Sequence, residues 1–368
     1  LLSNKVNYWT GVEGMLFEEE FAEFSGCSHA IAVANGTLAL DLALKGICLT
    51  QGDEVIVTSR TFIASASSIV TAGGVPVFAD VDSNSQNINR ASIETVITPK
   101  TRAIICVHLA GWPCDMDPIM ELAAKYNLKV IEDCAQAHGA RYKGRSVGSI
   151  GDVGCWSFCQ DKIMTTGGEG GMVTTNNRDL WLSMWAYKDH GKSWQAVYEK
   201  EHEPGFRWLH ESFGTNWRLT EMQSAIGRIQ LKRMPVWLAS RTKNAHAILD
   251  SAHECSALRV PQPEVGSVHA WYKCYVFIRL ELLKEGWSRD RIIEKIIAKG
   301  VPCFSGSCSE VYLESAFNNT NWRPISRLPV AKQLGEESLM FLVHPTLTEA
   351  EVEKTCDVLR QVMFEATA

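Results

Sequence analysis

The sequence contains no CxxC pair, although it has 12 cysteines. Cys155 and Cys159 have three residues between them, and Cys303 and Cys308 have four. Neither spacing is usual for a zinc site, and no metal is expected. Others, such as Cys106 in AIICVHL and Cys134 in IEDCAQ, lie inside apolar runs. They read as reduced, buried, small apolar residues, which predicts a reducing, cytoplasmic location. Positive charge is not in excess either. Lys and Arg number 36 against 42 Asp and Glu, a net charge of −6, so no broad footprint for nucleic acid is expected. No apolar run reaches transmembrane length, and the opening LLSNKVNYWTG carries no signal-like apolar core. A membrane partner is therefore not expected. The chain opens on Leu1 and not on Met, so further residues upstream are expected. There is no internal repeat and no low-complexity tract. No GxGxxG follows the first predicted strand, which argues against a nicotinamide dehydrogenase.

What the chain does contain is a repeating βα rhythm. Apolar, β-rich runs occur at Ile31–Ala34, Glu54–Thr58, Pro76–Val81, Ala103–Leu109 and Leu128–Cys134. The segments between them read as helices, Thr37–Lys45 and Asp117–Tyr126 most clearly. Nearly continuous apolar strands predict an α/β fold with a parallel sheet buried on both faces. Two more strands, Gly154–Phe158 and Gly171–Thr175, flank a segment too short for a crossover helix, so one of them should run antiparallel. From Asp179 the pattern is helical and rich in Trp. A helix is expected over Glu221–Arg233, and a longer one around Leu231–Ala245 should lead into a smaller α+β domain. That domain should hold a strand at Tyr272–Leu280 and helices at Ser288–Lys299 and Thr348–Met363. The division expected is 1–240 and 241–368.

Three features carry chemistry. In Ala34-Asn35-Gly36-Thr37, Gly36 permits close backbone approach and Thr37 offers a hydroxyl at a helix N-terminus, either as a phosphate cradle or as a plain cap at a tight turn. In IEDCAQAHG, Asp133 ends an apolar strand, where α/β sheets place ligands. It could keep a ring nitrogen protonated or simply cap the next turn. In SFCQDKIMTTGGEGG, Lys162 stands between a strand and a glycine cluster. A partly desolvated lysine there can form a Schiff base, with the glycines letting the backbone pass close to a cofactor. Together, in this chain order, the three are the parts a pyridoxal phosphate (PLP) site requires. Phe62 in RTFIA, just past the second strand, is the candidate to stack on the ring.

The blocks FEEEFAEFSGCSHAIAVANGTLAL, GDEVIVTSRTFIASA, VIEDCAQAHGA, SFCQDKIMTTGGEGGMVTTN and GTNWRLTEMQSAIGRIQLKR resemble the DegT/DnrJ/EryC1/StrS family of PLP-dependent sugar aminotransferases. The resemblance implies the aspartate-aminotransferase-like fold type I: a mostly parallel seven-stranded sheet flanked by helices, with a smaller α+β C-terminal domain. It implies Lys162 as the Schiff-base lysine and Asp133 as the partner of the ring nitrogen. Phe62 would stack on the ring, Gln136 would contact the ring or its 3-oxygen side, and Gly36, Thr37 and Ser157 would hold the phosphate. Asn216 in GTNWR would reach the phosphate of a neighbouring subunit, so a homodimer with shared sites is expected, with Trp208 and Trp217 at an apolar interface. Lys162, where some relatives have His and dehydrate their sugars, favours transamination over dehydration, desulfuration or a non-catalytic role. Members often have Pro-Thr before the lysine and Asn after it. Here Gln160-Asp161 precede it and Ile163 follows, which should alter only the pocket wall.

The resemblance implies L-glutamate as amino donor. NYWTG, FRWLHESFGTNWR and VPCFSGSCSEVYLE are similar to the branch that aminates C8 of 3-deoxy-manno-octulosonate (Kdo) for lipopolysaccharide. The alternative acceptor is a nucleotide-linked keto-sugar. Lys188, His190 and Arg218 are candidate substrate contacts, with Arg207 as a further cation at the pocket mouth.

Overall fold

The computed structural model describes residues 6–7 and 10–367. Tyr8 and Trp9 of the NYWTG stretch lie outside the described residues.

The large sheet has seven strands: β1 (His29–Val33), β2 (Glu54–Thr58), β3 (Val75–Ala79), β4 (Thr101–Val107), β5 (Lys129–Asp133), β6 (Val153–Ser157) and β7 (Gly171–Thr175). Their spatial order is β1-β7-β6-β5-β4-β2-β3. Strands β3, β2, β4, β5 and β6 run parallel, while β7 is antiparallel to both β6 and β1. This is the arrangement expected of the short β6–β7 connection.

The continuous apolar runs follow from two buried faces. On β2, Val55 and Val57 join one core and Ile56 the other; on β4, Ile105 faces with the first set and Ile104 and Cys106 with the second. Side chains alternate along a strand, so a strand covered on both sides is apolar along its length except at its ends and where a polar side chain finds partners. Helix α1 (Glu13–Ser25), which the sequence reading did not anticipate, packs Phe17 and Phe21 onto Trp156 and Phe158 in a third core. Eight of the twelve cysteines are buried, and all are free.

The C-terminal part builds a four-stranded antiparallel sheet around Cys274–Ile278 and Ser338–Phe341. Helices Arg289–Ala298 and Glu349–Thr367 cover it. One helix joins the two parts. Met234–His253 buries Met234 in the core beside Phe17 and Trp156, and Ala245, Ile248 and Leu249 in the C-terminal core. Its start at Met234, after the helix Glu221–Leu231, is later than the expected Leu231. Among the described residues no helix is long and apolar enough to cross a membrane.

Candidate active site

A cavity of about 840 Å³ opens at the carboxyl edge of the large sheet. Seven of the expected cofactor residues line it: Gly36, Thr37, Phe62, Asp133, Gln136, Ser157 and Lys162. They are brought together because β1, β5 and β6 end at the same edge, and each strand hands the chain into the cavity as it leaves the sheet.

Helix α2 (Gly36–Gly46) begins at the wall. Asn35 caps it, its side-chain oxygen accepting from Leu38 N–H at 3.0 Å. A Cβ on Gly36 would lie 2.6 Å from Cβ of Ser157. Only glycine therefore lets the first turn of the helix pack against the Ser157 side chain, and the N–H ends of that turn open toward the cavity.

Asp133 is the last residue of β5 and is buried. Its Oδ2 accepts from the Ser65 hydroxyl at 2.8 Å and its Oδ1 from Ala135 N–H at 3.1 Å. Burial pushes its carboxyl above the usual range, against the opposing pull of these donors and of Lys162. The preceding residue, Glu132, points to the other face of the strand. It accepts from the backbone N–H groups of Gly148, Ile150 and Gly151 at 2.9, 2.8 and 2.7 Å. It also bonds His108 Nε2 at 3.0 Å. His108 Nδ1 accepts from Cys114 N–H, so the ring proton sits on Nε2 and is donated to Glu132. Burial works to raise the Glu132 carboxyl, but His108 and the backbone donors outweigh it and hold it below its ordinary value. Glu132 and His108 thus fix the chain around Asp133 without entering the cavity.

Lys162 lies in the loop between β6 and β7, its side chain 18% exposed. The loop closes on itself: Phe158 N–H bonds Gly170 O at 2.7 Å, and Thr166 N–H bonds Phe158 O at 3.2 Å. The glycine cluster serves this loop and not the cavity. Gly167 and Gly168 have φ of 90° and 131°. A Cβ on Gly170 would meet Thr166 Oγ1 at 2.1 Å. None of the three lines the cavity, although Glu169 between them does. Phe62 is 68% exposed with its ring on the cavity wall. Gln136 is tied down by Ala110 N–H, which donates to its Oε1 at 2.8 Å.

The candidate substrate residues are placed elsewhere. Lys188, His190, Arg218 and Asn216 do not line this cavity. Lys188 is wholly buried, with Nζ 3.5 Å from Glu18 Oε1 and 5.4 Å over the Trp185 ring. Arg218 donates to Asp189 at 2.8 Å. Both cations are thus engaged in ion pairs with acids of this chain. His190 and Asn216 are exposed, on the stretch where Asp189 pairs with Asn216. Arg207 is also exposed. Trp208 is exposed, but Trp217 packs edge-on against Tyr187 at 5.3 Å.

Sequence reasoning missed several cavity residues: Tyr272, Lys273 and Tyr275 from the C-terminal part, with Ser307, Cys308 and Glu314. For Tyr272 and Lys273 the signal was WYK at the head of an apolar strand; Ser307, Cys308 and Glu314 lie in the block VPCFSGSCSEVYLE, whose resemblance did not single them out.

Because Lys188 pairs with a buried acid, its loss should act on stability. Lys188→Met leaves Glu18 without its cation, and we expect a loss of about 3 kcal/mol in urea unfolding. A variant of unchanged stability and weakened substrate affinity would restore Lys188 as a substrate contact.

Comparison with known proteins accords with the geometry. The DegT/DnrJ/EryC1/StrS aminotransferase family profile matches residues 2–360. The GDP-perosamine synthase of Caulobacter vibrioides is 38% identical over 353 residues, covering 94% of this chain and 89% of that protein. The UDP-N-acetyl-3-dehydro-alpha-D-glucosamine 3-aminotransferase of Acidithiobacillus ferrooxidans is 35% identical, covering 96% and 89%. The crystal structure of an aminotransferase from Psychrobacter cryohalolentis superposes with a TM-score of 0.98 at 64% identity, covering 100% of this chain and 95% of that one. DesV of S. venezuelae gives a TM-score of 0.84 at 32% identity, covering 96% and 90%. The chain therefore belongs to the DegT/DnrJ/EryC1/StrS family and is a PLP-dependent sugar aminotransferase of fold type I.

Proposed function

We propose that this enzyme moves an amino group from L-glutamate to a keto group on a nucleotide-linked sugar, with Lys162 and Asp133 as its catalytic residues. The observation that carries the reading is the convergence in one cavity of a lysine amine, a buried acid and a helix N-terminus. The residues present fit the cofactor. Asp133, its carboxyl raised by burial, gains a counter-charge from a protonated ring nitrogen. The first turn at Gly36 and Thr37, with the Ser157 hydroxyl beside it, suits a phosphate. The exposed ring of Phe62 offers a stacking face, and Gln136 presents its amide beside it. Bound there, PLP supplies an electron sink for the amino-acid Cα and carries the amine between the two half-reactions.

The chain's own residues do the rest. Asp133 keeps the ring nitrogen charged. Lys162 Nζ takes the proton from the donor carbon and returns it at the far end of the 1,3-shift. The relatives support the nucleotide-sugar acceptor over the Kdo aldehyde, since one is a GDP-perosamine synthase and another an aminotransferase of a UDP-linked 3-dehydro-glucosamine. Asn216 and His190 stand on an exposed stretch beside Phe206, Trp208 and Phe213, which are 76, 82 and 99% exposed. An apolar surface of this kind supports a homodimer in which that stretch, and Asn216 with it, reaches the partner's cavity. The division into a large cofactor-binding part up to 240 and a small part from 241 on belongs to the same proposal. It falls within the helix Met234–His253 that ties both cores together.

Three outcomes test this. The purified enzyme should be yellow, with the colour removed by borohydride. Lys162→Arg should be colourless and inactive, while Asp133→Asn should bind PLP yet slow the Cα proton step by a factor of about a hundred or more. An active Lys162→Ala would end the mechanism. Mixing Lys162→Ala with Asn216→Ala chains should restore part of the activity, because one site of each hybrid dimer is intact; no recovery in hybrids verified by mass would remove Asn216 from the shared site. Finally, the pyridoxamine form should react with GDP-, UDP- or dTDP-linked keto-sugars and not with the 8-aldehyde of Kdo. The reverse pattern would transfer the assignment to the octulosonate.

A further inference from the structure

Position 161 is where this chain leaves the family's common Pro-Thr-Lys pattern, and the departure reaches the lysine itself. The loop turns at Cys159, whose carbonyl accepts from Lys162 N–H at 3.0 Å. Asp161 and Lys162 then face the cavity side by side. Asp161 Oδ1 lies 3.6 Å from Lys162 Nζ, and its Oδ2 accepts from the Tyr272 hydroxyl at 2.5 Å. Tyr272 is 111 residues away in sequence. Its backbone is anchored, with its N–H on Ala110 O at 2.8 Å and its carbonyl receiving a bond from the buried Arg241 at 3.4 Å. Lys162 Nζ lies 5.1 Å from the centroid of the Tyr272 ring, and Lys273 Nζ 4.8 Å.

Resting on the assignment of Lys162, we propose that Asp161, clamped by Tyr272, is a positioning residue that holds the Lys162 amino group in the cavity whenever it is released, before and after it takes up the proton. A lysine has a four-carbon stem and loses much rotamer freedom when held in one place. An exposed ion pair alone holds weakly. Here the carboxylate is itself fixed by a short hydroxyl bond from a rigid neighbour, so the amine meets a stationary partner.

The surrounding charges support this. Burial works to raise the Asp161 carboxyl, but the Tyr272 hydroxyl and the Lys162 charge outweigh it and hold it below its usual value. Burial, with the bond to Asp161, pushes the Tyr272 hydroxyl up, so it remains a donor. Asp133 faces Lys162 from β5, Glu169 lines the same cavity from the far end of the Lys162 loop, and Lys273 faces the lysine from the C-terminal side, with Arg241 beyond it acting on Lys273. His138, its ring pushed down to about 3 by burial, stays neutral. Asp161 is thus the carboxylate of the Lys162 loop that contacts the amine, and its side chain is 55% exposed, so replacing it should not endanger folding.

The test compares Asp161→Asn, Asp161→Glu and Tyr272→Phe as PLP-loaded enzymes. A carboxylate beside the amine favours a proton on its nitrogen. Losing the charge in Asp161→Asn should move the pH midpoint of the visible band down by about one unit. It should also lower kcat about tenfold with the donor KM little changed. Asp161→Glu should recover most of both. Tyr272→Phe keeps the charge and should lower kcat while leaving the midpoint near that of the wild type. An Asp161→Asn enzyme with wild-type midpoint and kcat overturns the proposal. So does an Asp161→Glu enzyme that recovers neither. A wild-type enzyme that binds PLP without any borohydride-sensitive band would instead overturn the assignment of Lys162.

Discussion

Two adjacent acids at the end of β5 must both be buried, and the site depends on how each is satisfied. Strand alternation sends Glu132 and Asp133 to opposite faces. Glu132 collects three backbone N–H groups and the His108 ring. With so many donors the carboxylate can remain ionised at no great cost, and it pins the Gly148–Gly151 loop to the strand. Among the described residues Asp133 has two donors, Ser65 and Ala135 N–H. The structural acid thus has the fuller set of donors, and the cavity acid is left under-compensated. That imbalance is what the proposed pairing of Asp133 with a cationic ring nitrogen draws on.

The same economy is visible across the cavity. Each wall is supplied by a segment whose local geometry is already satisfied: the capped start of α2 at Asn35, the self-closing loop around Lys162, and the Gln136 side chain held by Ala110. The C-terminal part closes the remaining side through Tyr272, Tyr275 and Ser307. Arg60, fully buried, ties the two parts together with bonds to Gln86, Ser309 and Ser338. The cavity is therefore preorganised by contacts outside it, which limits the reorganisation a reaction must wait for.

Away from the cavity, charge is used for fastening. Lys188 with Glu18, and Asp189 with Arg218 and Lys192, hold the end of the helix Arg178–Lys188 to the body of the protein. Beyond it the exposed aromatic stretch around Phe206 and Phe213 begins. A rigid base for an exposed apolar segment is what a surface needs to present side chains to a second copy.

The sheet, the helix start at Gly36 and Thr37 and the principal residues of the cavity were legible in the sequence because each leaves a local mark: unbroken apolar runs, a glycine at a helix start, an acid closing a strand, a lysine before a turn. The helix Glu13–Ser25 left a weaker mark, since only the presence of Trp156 and Phe158 beneath it makes its aromatic residues core. Lys188, Arg218 and Lys273 look alike as isolated cations. What separates them is burial and the acid each one meets, Glu18, Asp189 and Asp161, two of which lie more than a hundred residues away. Asp161 is the clearest case. Its sequence position says only that a family pattern is broken, while the fold supplies Tyr272 and makes the break a contact with the reactive lysine. The sequence by itself determined the strands of the large sheet and the chemical parts of the site, because propensity and patterning act over a few residues. Only the tertiary structure decided which charges face the cavity, because desolvation and pairing depend on what the fold places within a few ångströms of each group.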